Sequence, residues 1–302
     1  MFCALFIFAA PAAWSQAPAP APAPARAPAR GALFKVEQGG HTLYLFGTIH
    51  VGAPDFYPLE PRVTAALEGA GALALEIDPN GDPALAQAAM RRYGMYAAGA
   101  GPAAADIAPS YRPRLARLEK RYGLAPAALA PMKPWLLATL LSMSEFTAIG
   151  YQADLAVDTY LSRQAHARKI PVLELESMDS QMGLFGRLGL AEQCRFLEEG
   201  IAAIEDKDAA KQARQIAQAW RTADAAALDG VAREAAADRT FSGKFVQRVL
   251  LDERNPGLAD GIAALLTREN NSLAAIGVLH LIGSNSVPDL LRRRGLKVER
   301  IY

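Results

Sequence analysis

Four residues able to bind a metal or move a proton stand at the ends of strand-like apolar runs: His50, Glu76, Glu176 and His280. Two of them share a local pattern. His50 closes a Gly47-x-x-His unit after the run LYLF at 43–46, and His280 closes a Gly277-x-x-His unit after SLAAI at 272–276. They are two of only four histidines in the chain. Two imidazoles with one or two carboxylates match a catalytic divalent-metal site, which takes three protein ligands and keeps a position for water. Such an ion lowers the pKa of its water and polarises a carbonyl. His50, Glu76 and His280 are therefore candidate ligands, and a carboxylate that does not ligate is a candidate general base. Histidine and glutamate donors suit zinc, manganese, cobalt and iron alike, so residue type does not choose the metal. One Gly-x-x-His carries little information. The weight lies in two of them, each after a strand-like run, with two further runs ending in glutamate.

For these residues to meet, their strands must lie parallel and side by side, because open α/β sheets bind ligands beyond the carboxyl ends of their strands. Residues 32–38 and 42–46 read as two strands joined by the hairpin signal Gly39-Gly40. A helix is expected over 58–69, a strand over 72–76 ending in Glu76 and Asp78, and a helix capped by Asp82. From about 84 to 164 the pattern is helical, and a strand over 170–175 then runs into Glu176. Helices follow over 190–203, 209–237 and around Pro256; the second Gly-x-x-His strand, a helix over 287–294 closed by Gly295, and a strand over 296–301 complete the chain. Strands separated by helices predict an α/β fold. The expectation is a mixed, largely parallel central sheet flanked by helices, with a long helical insertion between the two Gly-x-x-His halves.

Of 302 residues, 51% are apolar and 21% charged, and 32 basic against 31 acidic side chains leave a net charge of +1. That balance gives no electrostatic reason for a nucleic-acid partner, and the partner expected is a peptide or small-molecule substrate. After the N-terminus no apolar run reaches the roughly 20 residues that span a bilayer. Residues 1–13 are an apolar stretch of h-region length followed by small residues, without a basic n-region. They predict a signal peptide over 1–17 and a periplasmic or secreted product. An Ala-Pro spacer over 18–31 precedes one domain over 32–302. Removal of the leader takes Cys3 with it and leaves Cys194, read as a buried inert thiol with no disulfide partner. His41, in the hairpin turn, and His166, beside Arg168 and Lys169, read as solvated; Trp135 and Trp220 read as packing residues. Glu198, Glu199, Asp206 and Asp208 read as a solvated helix end.

The segments 43–52 (LYLFGTIHVG), 74–78 (ALEID), 133–135 (KPW), 157–158 (VD), 169–177 with Gln181 (KIPVLELES…Q), 254–255 (RN) and 275–283 (AIGVLHLIG) resemble the TraB/GumN family in order and spacing. That family is related to the TIKI metalloproteases, and the resemblance covers most of the chain after the spacer. Ala156 departs from it, standing where the family commonly has glycine two residues before the aspartate matched by Asp158. The resemblance implies an α/β fold related to erythromycin-esterase-like and haem-binding ChaN-like proteins. Through the TIKI group it implies peptide hydrolysis dependent on a divalent metal such as manganese or cobalt. His50 and His280 match the two Gly-x-x-His histidines and Glu76 the acidic strand end; Glu176, Arg254 and Asn255 match further family positions and join Glu76 as catalytic candidates. Arg254 could hold a carboxylate or a substrate oxyanion and Asn255 could donate to a developing oxyanion, or both could anchor the loop before Pro256. Three functions stay open at this point: a metal-dependent peptide hydrolase, a non-catalytic peptide- or haem-sequestering protein, and a metal-independent esterase-like hydrolase.

Overall fold

Gly39 and Gly40 turn the chain with φ of +60° and +84°, a region open to glycine without strain, and so join β1 (Leu33–Gln38) to β2 (His41–Thr48) as an antiparallel hairpin. The computed structural model describes residues 27–302; the leader expected over 1–17 and residues 18–26 of the spacer lie outside the described residues. Four more strands, β3 (Leu73–Leu75), β4 (Val172–Glu174), β5 (Ser272–Gly277) and β6 (Lys297–Arg300), complete a sheet of order β4-β3-β5-β2-β1-β6. The first four in that order run parallel, whereas β1 is antiparallel to both β2 and β6. The sheet is mixed and largely parallel. β5 is buried at every position, which is why its sequence is an apolar run without alternation: both of its faces are covered.

Helix Asn255–Arg268 packs across β1, β2 and β5, helix Val157–Ala167 packs against β3 and β4, and helix Pro61–Glu68 packs against β5. The helical middle of the chain is interrupted only by β4, which joins the sheet. Its helices build a layer of their own: Pro134–Ala148 packs on Leu190–Glu205, and the latter also meets Asp208–Arg221 and Phe241–Phe245. That layer has a ring-on-ring centre. Trp135 stacks on Phe185 at 4.5 Å, and Phe185, Phe196 and Phe245 meet edge to face. Among the described residues no helix is long and apolar enough to cross a membrane.

Several local expectations change. The alanine-rich stretch 209–237 is two helices, Asp208–Arg221 and Ala225–Ala237, because Ala223 takes a positive φ of +49° and Asp224 caps the second helix by accepting from the Ala227 N–H. His41 is not a free turn residue: it opens β2, and its Nδ1–H donates to the Leu266 carbonyl at 2.8 Å. Nor are the acids around 198–208 all solvated. Glu198 accepts from the Ala108 N–H, and Glu199 accepts from the Phe241 and Ser242 N–H groups that open a helix. Unpaired N–H groups at a helix start recruit such carboxylates. Cys194 is buried and free, and burial pushes its thiol up to about 11, so it is inert.

Trp220 pins the approach to the site. It is fully buried, its Nε1–H donates to the Gly47 carbonyl at 2.7 Å, and its own carbonyl accepts from the Gly31 N–H. Gly47 itself has no room for a side chain, since a Cβ would stand 2.9 Å from Val278 Cγ2 in the turn that carries His280. Trp220→Phe keeps an aromatic ring but trims its volume and strands a buried carbonyl. It should cost about 1–3 kcal/mol, read as a lower urea midpoint at an unchanged m-value.

Candidate functional site

The C-terminal edge of the parallel strands receives, in the spatial order β4, β3, β5, β2, the residues Glu176, Glu76, His280 and His50. All four expected strand-end residues therefore reach one edge, with neighbouring strands about 4.8 Å apart. Glu76 is at the centre. Its Oε1 accepts from the Gly277 N–H at 2.7 Å and its Oε2 from Arg254 Nη2 at 2.5 Å. His50 Nε2 stands 3.8 Å from Oε1, and His280 Nε2 stands 3.9 Å from Oε2.

Each ring is tied back through its other nitrogen. His50 Nδ1 donates to Asp158 Oδ2 at 2.9 Å. Asp158 sits in the first turn of helix Val157–Ala167, and that helix start is stitched to the His50 loop through backbone bonds from Val157 N to Ile49 O and between Gly52 and Gln152 in both directions. Gly52 permits this contact: a Cβ there would lie 1.7 Å from the Leu155 carbonyl oxygen. The alanine at 156 is harmless, since its φ of −59° suits any residue. His280 lies in the 3₁₀ turn Val278–Leu281, its Nδ1 2.6 Å from Asn255 Oδ1. The other end of that amide, Nδ2, donates to the Asn285 carbonyl at 2.7 Å, which orients the side chain with its oxygen toward the ring. His280 must then carry its proton on Nδ1, and Nε2 presents a bare lone pair to Glu76.

Arg254 holds the carboxylates together. It is 7% exposed; Nε reaches both oxygens of Glu176 at 3.0 and 3.1 Å, Nη2 bridges Glu76 and Glu176, and Nη1 donates to the Leu250 carbonyl. Gln181 Nε2 adds a bond to Glu176 Oε2 at 2.8 Å. Burial by itself would raise the Glu76 carboxyl, but the Arg254 guanidinium above all, with the Gly277 N–H, holds it well below the usual range. The same carboxylates overcome burial to raise Arg254 above its ordinary value. Burial pushes His280 down to about 3 and keeps it neutral. Burial also acts to lower His50, yet Asp158 and Glu76 reverse this and raise it to about 9.

Two readings are open to Asn255 from the sequence, an oxyanion donor and an anchor of the loop before Pro256, and the structure gives its amide two partners. Both ends of its amide are committed, so it orients His280. Of the three readings open to Arg254, its side chain makes the carboxylate contacts. Asp158 and Gln181 belong to the cluster although no role was assigned to them; 108 residues separate His50 from Asp158, and nothing in the spacing announces the pair. His166 is not free on a solvated face. Its Nε2 meets Asp78 Oδ2 at 2.7 Å, which ties Asp78, just past β3, to helix Val157–Ala167.

The donors fit a divalent cation in kind. His280 Nε2 is a lone pair 3.9 Å from an anionic oxygen, two electron-rich atoms that a cation between them would satisfy. A Cβ on Gly277 would stand 3.1 Å from His50 Nε2 and 3.2 Å from Glu76 Oε1, so the missing side chain keeps the space between them clear. Asp158 Oδ1 is buried without a hydrogen-bond partner. Rings anchored through the nitrogen that faces away are the arrangement of metal-bound histidines. In the arrangement described, however, no group of three or more His, Cys, Asp or Glu among the described residues closes into a metal shell. Ligands at about 2.1 Å from one ion lie roughly 3–3.5 Å from each other, so 3.8 and 3.9 Å must shorten by a few tenths of an ångström.

A family model described as the TraB/PrgY/gumN family matches residues 32–300, and the chain belongs to that family. The chain is 24% identical over 265 residues to the protein YbaP of Escherichia coli K12, described as uncharacterized, with 84% of this chain and 89% of YbaP covered. YbaP of Shigella flexneri matches at the same identity and coverage. No solved structure matches.

Arg254→Met should leave Glu76 and Glu176 facing each other without a counter-charge. A loss of about 3–5 kcal/mol is expected from breaking such a buried pair. Arg254→Lys should recover only part, because a single ammonium cannot fork between two carboxylates. Equilibrium denaturation of the three proteins measures both.

Proposed function

We propose that this chain is a metal-dependent hydrolase of peptide bonds, with His50, Glu76 and His280 as ligands of one divalent ion, manganese, cobalt or zinc. The observation that carries the reading is that two tied-back imidazoles turn Nε2 toward the two oxygens of one carboxylate, at 3.8 and 3.9 Å. A divalent ion bound there supplies Lewis acidity and a water of lowered pKa. Asp158 and Asn255 hold the rings in register. Glu176, the more exposed of the two strand-end glutamates, is the group placed to accept a proton from an attacking water. Arg254 bridges the two glutamates and holds them side by side, and Gly277 keeps the reacting space open. The peptide substrate rests on the resemblance to the TIKI group, and the leader-like residues 1–17 support an exported chain.

A second reading has one observation in its favour: Glu76 is already matched by the Gly277 N–H and Arg254. On that reading His50, oriented by Asp158, transfers protons in a metal-independent hydrolase. Metal analysis and a peptide-library assay separate the two. On the metal reading His50→Ala and His280→Ala lose bound metal and turnover together, a chelator stops turnover, and Asp158→Asn weakens metal binding about 10- to 100-fold. Turnover that survives the chelator establishes the metal-free enzyme; metal bound without turnover of any peptide establishes a sequestering protein. Gly277→Ala sharpens the test. Its φ of −51° suits alanine, so the variant should melt close to the parent while its metal affinity falls, because the new methyl group stands between His50 and Glu76.

A further inference from the structure

Beside the cluster, along the outer edge of the sheet, a groove of about 570 Å³ lies between β4 and helix Pro83–Ala89. Its lining begins one residue past the site on two strands: Ile77 follows Glu76, and Ser177 follows Glu176. Three features of the groove converge. The first is backbone. β4 pairs only with β3, and Pro171 and Leu175 spend their groups on that partner through bonds from Leu73 N to Pro171 O and from Leu175 N to Leu75 O. Strand alternation then points the N–H and C=O of Val172 and Glu174 to the open side, the template that edge strands offer to another chain. The second is apolar surface. Leu85 and Leu173, which line the groove, are 61% and 37% exposed. The third is charge. Asp78, Asp82, Glu174 and Asp179 line the groove with no lysine or arginine among them. His166 answers Asp78 and Arg92 answers Asp179, but among the described residues no ion pair joins Asp82 or Glu174 to a cation.

We propose that this groove is a binding site for an extended, basic peptide that adds to β4 as an outer strand and leads toward Glu76, His50 and His280; its meaning as a substrate site rests on the hydrolase reading above. Main-chain bonds to Val172 and Glu174 give the peptide its register, Leu85 and Leu173 take its apolar side chains, and the acids select lysine or arginine between them.

Binding is read by fluorescence anisotropy on the Glu76→Gln chain, where turnover plays no part, with short end-blocked peptides alternating valine and lysine or valine and glutamate. The lysine peptide should bind and the glutamate peptide should bind at least roughly tenfold more weakly. Val172→Pro removes an outward N–H together with the valine side chain, a change that edge strands tolerate, and should weaken the lysine peptide about tenfold or more, whereas Val172→Ala removes the side chain, keeps the N–H and should keep most of the affinity. Asp82→Asn with Glu174→Gln preserves the helix cap and the acceptor for Asp78 N, and should erase most of the preference for lysine. That pair decides the matter if the proline variant fails to fold. Equal binding of both peptides, or affinities unmoved by every variant, overturns the proposal. So does concentration-dependent self-association of the chain that Val172→Pro abolishes, since the edge then belongs to a second copy. Peptide that binds as expected to a chain without turnover overturns the hydrolase reading alone; turnover with peptide binding indifferent to these variants overturns the groove alone.

Discussion

The site depends on one guanidinium. Glu76 and Glu176 stand at the ends of adjacent parallel strands, and two unit charges about 4 Å apart repel by roughly 4 kcal/mol at an effective dielectric of 20. Arg254, buried and committed through all three of its nitrogens, converts that repulsion into a bridge. The bridge also joins distant parts of the chain, because Arg254 stands at the start of helix Asn255–Arg268, the helix that packs across β1, β2 and β5. Position in the fold and charge balance are thus set by one residue. Its neighbour Asn255, drawn to the same spot by the chain, fixes the tautomer of His280.

Around that bridge, glycines do two different jobs. Gly47 and Gly52 allow close packing: one admits Val278, the other lets the His50 loop lie against the backbone that precedes Asp158. Gly277 instead faces the functional groups, donates to Glu76, and leaves the space between Glu76 and His50 free. The two Gly-x-x-His units therefore look alike in sequence without being equivalent. Their strands are neighbours, yet Gly47 pairs with Ile276 and Thr48 with Gly277, so the units are offset by one residue. His280 ends in a 3₁₀ turn and His50 in a bend.

Much of this was legible from the residues alone. A parallel sheet that collects His50, Glu76, Glu176 and His280 on one edge follows from apolar runs each ending in a titratable residue, a local pattern that one-dimensional reading detects well. The partners of those residues were not legible in the same way. Asp158 meets His50 across 108 residues, and His166 meets Asp78 across 88. Such pairs are settled by how helix Val157–Ala167 lies on β3 and β4, for which no sequence period exists. The break at Ala223 escaped for another reason: helix propensity, strong across that whole stretch, outweighed the cap signal of Asp224. The short edge strand β4 was visible as a strand, but its exposure was not, because a run rich in valine and leucine reads as covered.

Charge balance ties the cluster to the cation it is proposed to hold. Glu76, Glu176 and Asp158 bring three carboxylates into one largely buried neighbourhood, and Arg254 supplies one permanent positive charge. With both rings neutral, as metal ligation requires of them, two negative charges remain to be answered. A proton on His50 answers only one of them, while a divalent ion answers both and leaves the site neutral inside a poorly solvated edge of the sheet. The guanidinium beside Glu76 therefore does not compete with a cation for the site. It lowers the excess negative charge from three to two, the amount that one divalent ion matches.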